Sequence, residues 1–243
     1  MVRRRPGWPI DRFAEVDRVW SGAVVCLGSG ASLVGKAGLV TIELLRQTHA
    51  EGRVKVIAVN DSYLLAPWAD VLYFADARWW KWQMDGIRRR WVGTAISWTA
   101  AQVSQAIKEF AGLKVTIFAT GMEVTDPEIL MLRNAGEEGL SIDPCSLANG
   151  RNGGYQAVNI AILAGGNPII LVGYDGSSVE KLTHWFGDHP IQTAEATVKG
   201  YVKHYRTMLP ILKRVGVEVL NATPGSSIDA FPRLDLKTAL ERP

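Results

Sequence analysis

Apolar residues in this chain gather in short unbroken runs, with no regular alternation of apolar and polar positions. The first is Ala23–Leu27, the second Val54–Val59, and the third spans 71–75. Later runs cover 114–118, Ile169–Val172 and 217–220. Continuous β-branched runs of this length predict strands covered on both faces, the mark of a parallel sheet. Between them lie stretches with helical spacing. Residues 40–50 have apolar positions at Ile42, Leu44 and Leu45, and 100–110 have them at Val103, Ile107 and Phe110. Residues 155–164 are small and apolar all round, as in a helix buried against a sheet. Residues 194–215 are amphipathic, and Pro210 within them predicts a kink or a break. Strands alternating with helices predict an α/β fold: a single doubly wound, mostly parallel Rossmann-like sheet with helices on both faces.

Two stretches fit neither period. Residues 119–152 are rich in glycine and charge, with a short helical piece expected near 126–135. Residues 175–193, after the fifth apolar strand, carry no apolar periodicity and read as a functional loop or lid. No linker or repeat divides the chain, so residues 1–243 read as one domain, with 1–20 as an N-terminal extension.

Composition changes this picture little. Of 243 residues, 47% are hydrophobic and 21% charged, ordinary for a globular protein. A formal net charge of +3 is too small to point to nucleic acid. The basic triplets Arg3-Arg4-Arg5 and Arg88-Arg89-Arg90 read as solvated segments or as a phosphate-binding patch. Cys26 and Cys145 suggest no disulfide framework, which fits a reducing cytoplasm. The N-terminal residues have no apolar core of the signal-peptide kind, and no apolar run reaches the roughly 20 residues that span a bilayer. The expectation is a cytoplasmic protein, with a homo-oligomer left open. Trp79, Trp80, Trp82, Trp91 and Trp98 crowd into one segment, as a core or interface cluster or as a stacking wall for a ligand.

Candidate chemistry sits just past the carboxyl ends of the expected strands, where open parallel sheets bind ligands. The first strand runs into Gly28-Ser29-Gly30-Ala31-Ser32-Leu33. Glycines there permit a tight turn and close approach of a ligand, and the following N–H groups suit a phosphate. The third glycine of the dinucleotide fingerprint is replaced by Leu33, and Gly35-Lys36 lacks the spacing of a P-loop. Asn60 could read a ribose or base edge, or Asn60-Asp61 could cap a short helix. Asp76 has the same two readings. Asn152, Gly153 and Gly154 open the buried helix, beside Arg151, a candidate phosphate partner. Tyr174 and Asp175 follow the fifth strand. His184 and His189 lie in the loop beyond, where a histidine could do acid/base work, bond locally, or join Asp175 and Asp188 around a metal. The last strand ends in a polar turn at 221–227.

The order of these motifs resembles one Rossmann-like superfamily. It includes the bacterial sialyltransferases that use CMP-sialic acid and the archaeal-type 6-hydroxymethylpterin diphosphokinases. The similarity runs through Gly28 to Leu33, Val59-Asn60, Asn152 to Tyr155, Gly173-Tyr174-Asp175, Thr183 to Gly187 and Asn221 to Ser227. The chain also resembles uncharacterised phage and prophage proteins with a Trp-Trp pair after the third strand and an H-W-x-G-D-H stretch. The resemblance implies a nucleotide-dependent transferase, most concretely a glycosyltransferase taking a nucleotide-sugar. Gly28, Ser29, Gly30 and Asn60 would hold the nucleotide, and His184 would act as general base. Gly176 and Ser177 stand where the sialyltransferases carry aromatics. No tightly bound cofactor is implied. The diphosphokinase alternative would place magnesium on Asp61, Asp76 and Asp175. A third reading is a non-enzymatic nucleotide-binding or interaction protein.

Overall fold

A computed structural model describes residues 2–4, 14–86, 98–117, 124, 126–178, 182–187 and 195–242. The chain begins with β1 (Val2–Arg4) and β2 (Ala14–Val16), an antiparallel pair. There follow β3 (Ala23–Leu27), α1 (Gly35–Ala50), β4 (Val54–Val59), β5 (Val71–Phe74), α2 (Ala77–Met84) and α3 (Ala100–Glu109). Next come β6 (Leu113–Ile117), β7 (Ile129–Asn134), β8 (Ser146–Leu147), α4 (Gly153–Ala164) and β9 (Ile169–Val172). The rest is α5 (Glu195–His204), α6 (Leu209–Val215), β10 (Val219–Asn221) and α7 (Leu236–Leu240).

The fold is α/β, built on one eight-stranded sheet in the order β10-β9-β3-β4-β5-β6-β7-β8. All its neighbouring strands run parallel. Helices cover both faces. Val24, Cys26, Ile57, Val59 and Tyr73 point toward α4 and α6, meeting Val158, Ala161 and Leu212. Their neighbours Val25, Leu27, Val56, Ala58 and Leu72 point the other way, toward Ile42 and Leu45 of α1, Trp79 of α2 and Ile107 of α3. Two-sided burial is why the strand sequences show no polar alternation.

The chain winds outward from β3 to β8, then α4 carries it back across the sheet to β9, on the other side of β3. This reversal makes a topological switch point between β3 and β9. Their carboxyl ends diverge into separate loops there and leave a crevice.

One expectation changes and one is borne out. Residues 126–135 hold strand β7, not a helical piece. Ile129-Leu130-Met131-Leu132 is too short a run to separate the two periods, and pairing with β6 decides the outcome. The expected helix across 194–215 breaks into α5, a 3-10 turn at Tyr205–Met208, and α6, with Pro210 in the first turn of α6. There its missing N–H costs nothing.

Within the α4 face, Tyr73 Oη donates to Gln156 Oε1 at 2.7 Å, and Gln156 Nε2 donates to the Asn149 carbonyl at 2.7 Å. Both residues are buried. Tyr73→Phe leaves Gln156 Oε1 without its donor and is expected to cost about 1–3 kcal/mol in denaturant unfolding. A loss below about 0.5 kcal/mol would show the pair to be idle.

Candidate functional site

A cavity of about 370 Å³ opens at the switch point. The turns after β3, β4, β5 and β9, the start of α4, one side of α5 and the segment around His184 all contribute to its walls. Its volume falls within the range of small-molecule sites.

The β3 turn forms one wall. Ser29 Oγ donates to the Val59 carbonyl at 2.9 Å, and Ser62 Oγ donates to the Gly28 carbonyl at 2.6 Å, clamping the turns after β3 and β4 together. Gly30 is indispensable for space: a Cβ there would sit 1.5 Å from Asp175 Oδ2 and 2.6 Å from the Gly173 carbonyl oxygen. Ser32 lies behind this wall and does not line the cavity. Its N–H and hydroxyl donate to Asp175 Oδ1 and Oδ2 at 3.1 and 3.0 Å. The N–H expected to meet a phosphate at this turn thus already meets a carboxylate of the protein itself.

Asp175 is 3% exposed, and its backbone carbonyl accepts from Ser227 N–H at 2.6 Å, so it joins the turns after β3, β9 and β10. Burial raises its carboxyl pKa above the usual aspartate value, against the lowering effect of the Ser32 bonds. The folded protein therefore binds this proton more tightly than the unfolded chain. Stability falls as pH rises through the window between the ordinary and the raised value, and above that window the ionised group is a net cost. Asp175→Asn can keep both Ser32 contacts. It is expected to be at least as stable as the parent at pH 8, with its advantage shrinking as pH falls toward 4. Thermal melts across that range check this; a variant less stable at pH 8 than at pH 4, relative to the parent, would reverse the sign.

Asn60 follows β4 directly and sits at φ +51°, in the left-handed region. It lines the cavity. It does not cap the following 3-10 turn, whose start carries no side-chain cap. Strained non-glycine backbone of this kind gathers at ligand sites. Asp61, its neighbour, faces away: it is fully buried and accepts from Trp79 Nε1 at 2.8 Å, outside the cavity lining. A side chain turned into the core is the wrong place for the ligand or magnesium contact expected of it. Asp76 combines both readings. Its Oδ1 caps α2 through Arg78 N–H at 2.8 Å, its carboxylate pairs with the Arg78 guanidinium, and it lines the cavity. Of the three carboxylates named for magnesium, the cavity thus brings together Asp76 and Asp175 alone. Among the described residues, no group of three or more His, Cys, Asp or Glu converges as metal ligands would.

The α4 wall comes from Asn152, Gly153 and Gly154. Asn152 is the N-cap, its Oδ1 accepting from Tyr155 N–H at 3.2 Å and from Tyr205 Oη at 3.1 Å. A Cβ on Gly154 would press on the Tyr174 ring, Asn152 Oδ1 and Tyr205 Oη, at 2.8 to 3.0 Å. Tyr174, also part of the lining, donates from its hydroxyl to the Gly154 carbonyl at 3.0 Å. Arg151 reaches the rim, but its guanidinium forms a two-point pair with Glu137 at 3.0 Å.

His184 is held beside the β3 turn by backbone pairing with Gly30 and Gly187, and Trp185 N–H donates to the Ser29 carbonyl at 3.1 Å. Its imidazole stacks on Phe186, centroids 5.0 Å apart and planes 5° from parallel. The β3 turn therefore sets the position of the histidine directly. His189, the other candidate, and Asp188 lie outside the described residues.

Gly28, Ser29, Gly30, Asn60, Asp76, Asn152, Gly153, Gly154, Tyr174, Asp175 and His184 share one cavity; Ser32 and Asp61 do not line it. The tryptophans divide. Trp79 and Trp80 pack on Phe74, Trp98 meets Trp185 edge-on, and Trp79 and Trp82 line the cavity; Trp91 lies outside the described residues. Sequence reading missed Tyr201 and Tyr205, which line the cavity from α5 and from the 3-10 turn that follows it. Their spacing of four places them on one helix face, a signal that a core-facing stripe gives equally well. No helix among the described residues is long and apolar enough to cross a membrane. No protein-family model, curated protein or solved structure matches the chain, so the case for function rests on the cavity itself.

Proposed function

We propose that this protein is a nucleotide-dependent transferase, most concretely a glycosyltransferase-like enzyme taking a nucleotide-sugar, with His184 as the general base on the acceptor. The observation that carries the reading is the meeting of Gly30, Asn60, Gly153 and His184 in one cavity at the switch point. Together with Asp175, these segments far apart in sequence supply it with backbone N–H groups, a carboxamide, a carboxylate and an imidazole. This is the mixture that positions a phosphorylated, hydroxyl-rich molecule beside a proton acceptor. In this reading Asn60 and the start of α4 hold the nucleotide, whose phosphates favour a helix N-terminus. Trp82 and Tyr201 offer aromatic surface for a base or sugar. In the same reading His184 takes the proton from the incoming hydroxyl while the nucleotide leaves.

The magnesium-dependent alternative is less favoured by the geometry, because Asp61 is committed to Trp79 and Asp76 to Arg78. A thermal-shift series of nucleotides and nucleotide-sugars, with and without magnesium, tests the reading. A ligand at 100 times its Kd adds about 2.7 kcal/mol to stability. The expected result is a rise in Tm with at least one nucleotide in chelator. A shift that appears only with magnesium would favour the diphosphokinase-like reading, and none with any member would remove both.

A further inference from the structure

The carboxamide of Asn152 is fixed in one orientation. Its Oδ1 receives Tyr155 N–H and Tyr205 Oη, and a backbone N–H can only donate, so the oxygen must face that side. The amide NH2 then lies on the other side of the carboxamide, and Asn152 lines the cavity. Next to it stands a second carboxamide: Asn60 Nδ2 lies 3.8 Å from the position a Cβ on Gly153 would take. Between the two, Gly153 and Gly154 begin α4, where N–H groups have no acceptor within the helix. The two guanidinium groups at the rim are drawn off by Glu137 and Asp76. Elsewhere in the lining, the Asp175 carboxylate already takes the Ser32 N–H. The lining therefore offers neutral donors at the start of α4 and a carboxylate beside the glycine turn.

We infer that Asn152 is the residue that reads the anionic phosphate of the ligand, through an NH2 group that Tyr205 and the Tyr155 N–H hold in place, and that Asp175 keeps the phosphate away from the glycine turn. This deepens the transferase reading and rests on the same cavity. It assigns a direction to the ligand: phosphate toward α4, hydroxyl-bearing part toward Asp175. Tyr205 is a positioning residue, 2% exposed, acting through Asn152.

The test separates this role from helix capping. Aspartate and serine are both good N-caps, so Asn152→Asp and Asn152→Ser keep α4 capped. Serine lacks the NH2 group, and aspartate replaces it with a negative oxygen. Pyrophosphate titration of the full chain by calorimetry, in chelator, is the readout, with melting temperature as the check on folding. The parent is expected to bind pyrophosphate. Asn152→Ser should weaken it about 10-fold, Asn152→Asp about 100-fold or more, and both should melt near the parent. Tyr205→Phe should weaken binding by less than Asn152→Ser, because the Tyr155 N–H still orients the amide. Equal affinity for the parent and both Asn152 variants would overturn the inference, as would no pyrophosphate binding by the parent. Pyrophosphate binding without affinity for any nucleotide would instead defeat the transferase reading and leave the anion-reading role of Asn152 standing.

Discussion

Gly30→Ala is expected to lower stability by about 3 kcal/mol or more, an overpacking cost at the upper end of its usual range. In a chain of this size that corresponds to a fall in Tm of roughly 6–12 °C. The added methyl would coincide with Asp175 Oδ2 and press on the Gly173 carbonyl. Neither can retreat freely. The carboxylate is tied to Ser32, and the Gly173 carbonyl accepts from Gly30 N–H at 2.9 Å. The damage extends to the site, because Gly30 also pairs with the backbone of His184. Thermal or denaturant unfolding measures the stability loss. A variant within 1 kcal/mol of the parent would show that the β3 and β9 turns are not locked together as described.

His184→Ala is expected to reduce turnover by about 10²- to 10⁴-fold under the transferase reading, the usual contribution of a placed general base. His184 lines the cavity, and its ring stacks on the buried Phe186, so alanine removes the proposed proton acceptor without touching the backbone bridges to Gly30 and Gly187. Nucleotide affinity should change little, since the groups assigned to the phosphate belong to other segments of the lining. Steady-state kinetics on the nucleotide-sugar identified by thermal shift would separate the two effects. A loss confined to kcat supports the assignment. A variant within a few-fold of the parent would remove His184 from the proton transfer.

The sheet was readable from the sequence because its strands are buried on both faces, which strips out polar residues. Val24 and Val25 face opposite cores, and both must be apolar. The same logic located much of the site. A strand end at the switch point must pass into the crevice, so Gly28 to Gly30, Asn60, Asp76 and Asp175 could be placed there from strand positions alone.

What escaped the sequence were orientations and partners. Asn60 and Asp61 are adjacent, but only the turn geometry at φ +51° sends the first into the cavity and the second into the core against Trp79. Ser32 and Asp175 are 143 residues apart, and nothing local shows that each satisfies the other. Strand β7 was hidden because Leu and Met suit a helix as well as a strand, and its pairing with β6 is a tertiary fact. Tyr201 and Tyr205 were hidden by an amphipathic pattern that serves core and cavity alike.

The claim on which the rest depends is that turns from separate strands form one pocket for a phosphorylated compound. Backbone amide NMR during titration with the nucleotide selected by thermal shift tests it most directly. The account predicts shifts at Gly30, Asn60, Gly153 and His184 that follow a single binding curve, with α3 and α7 unmoved. Shifts that leave these four amides in place, or that divide them between curves of different affinity, would contradict it.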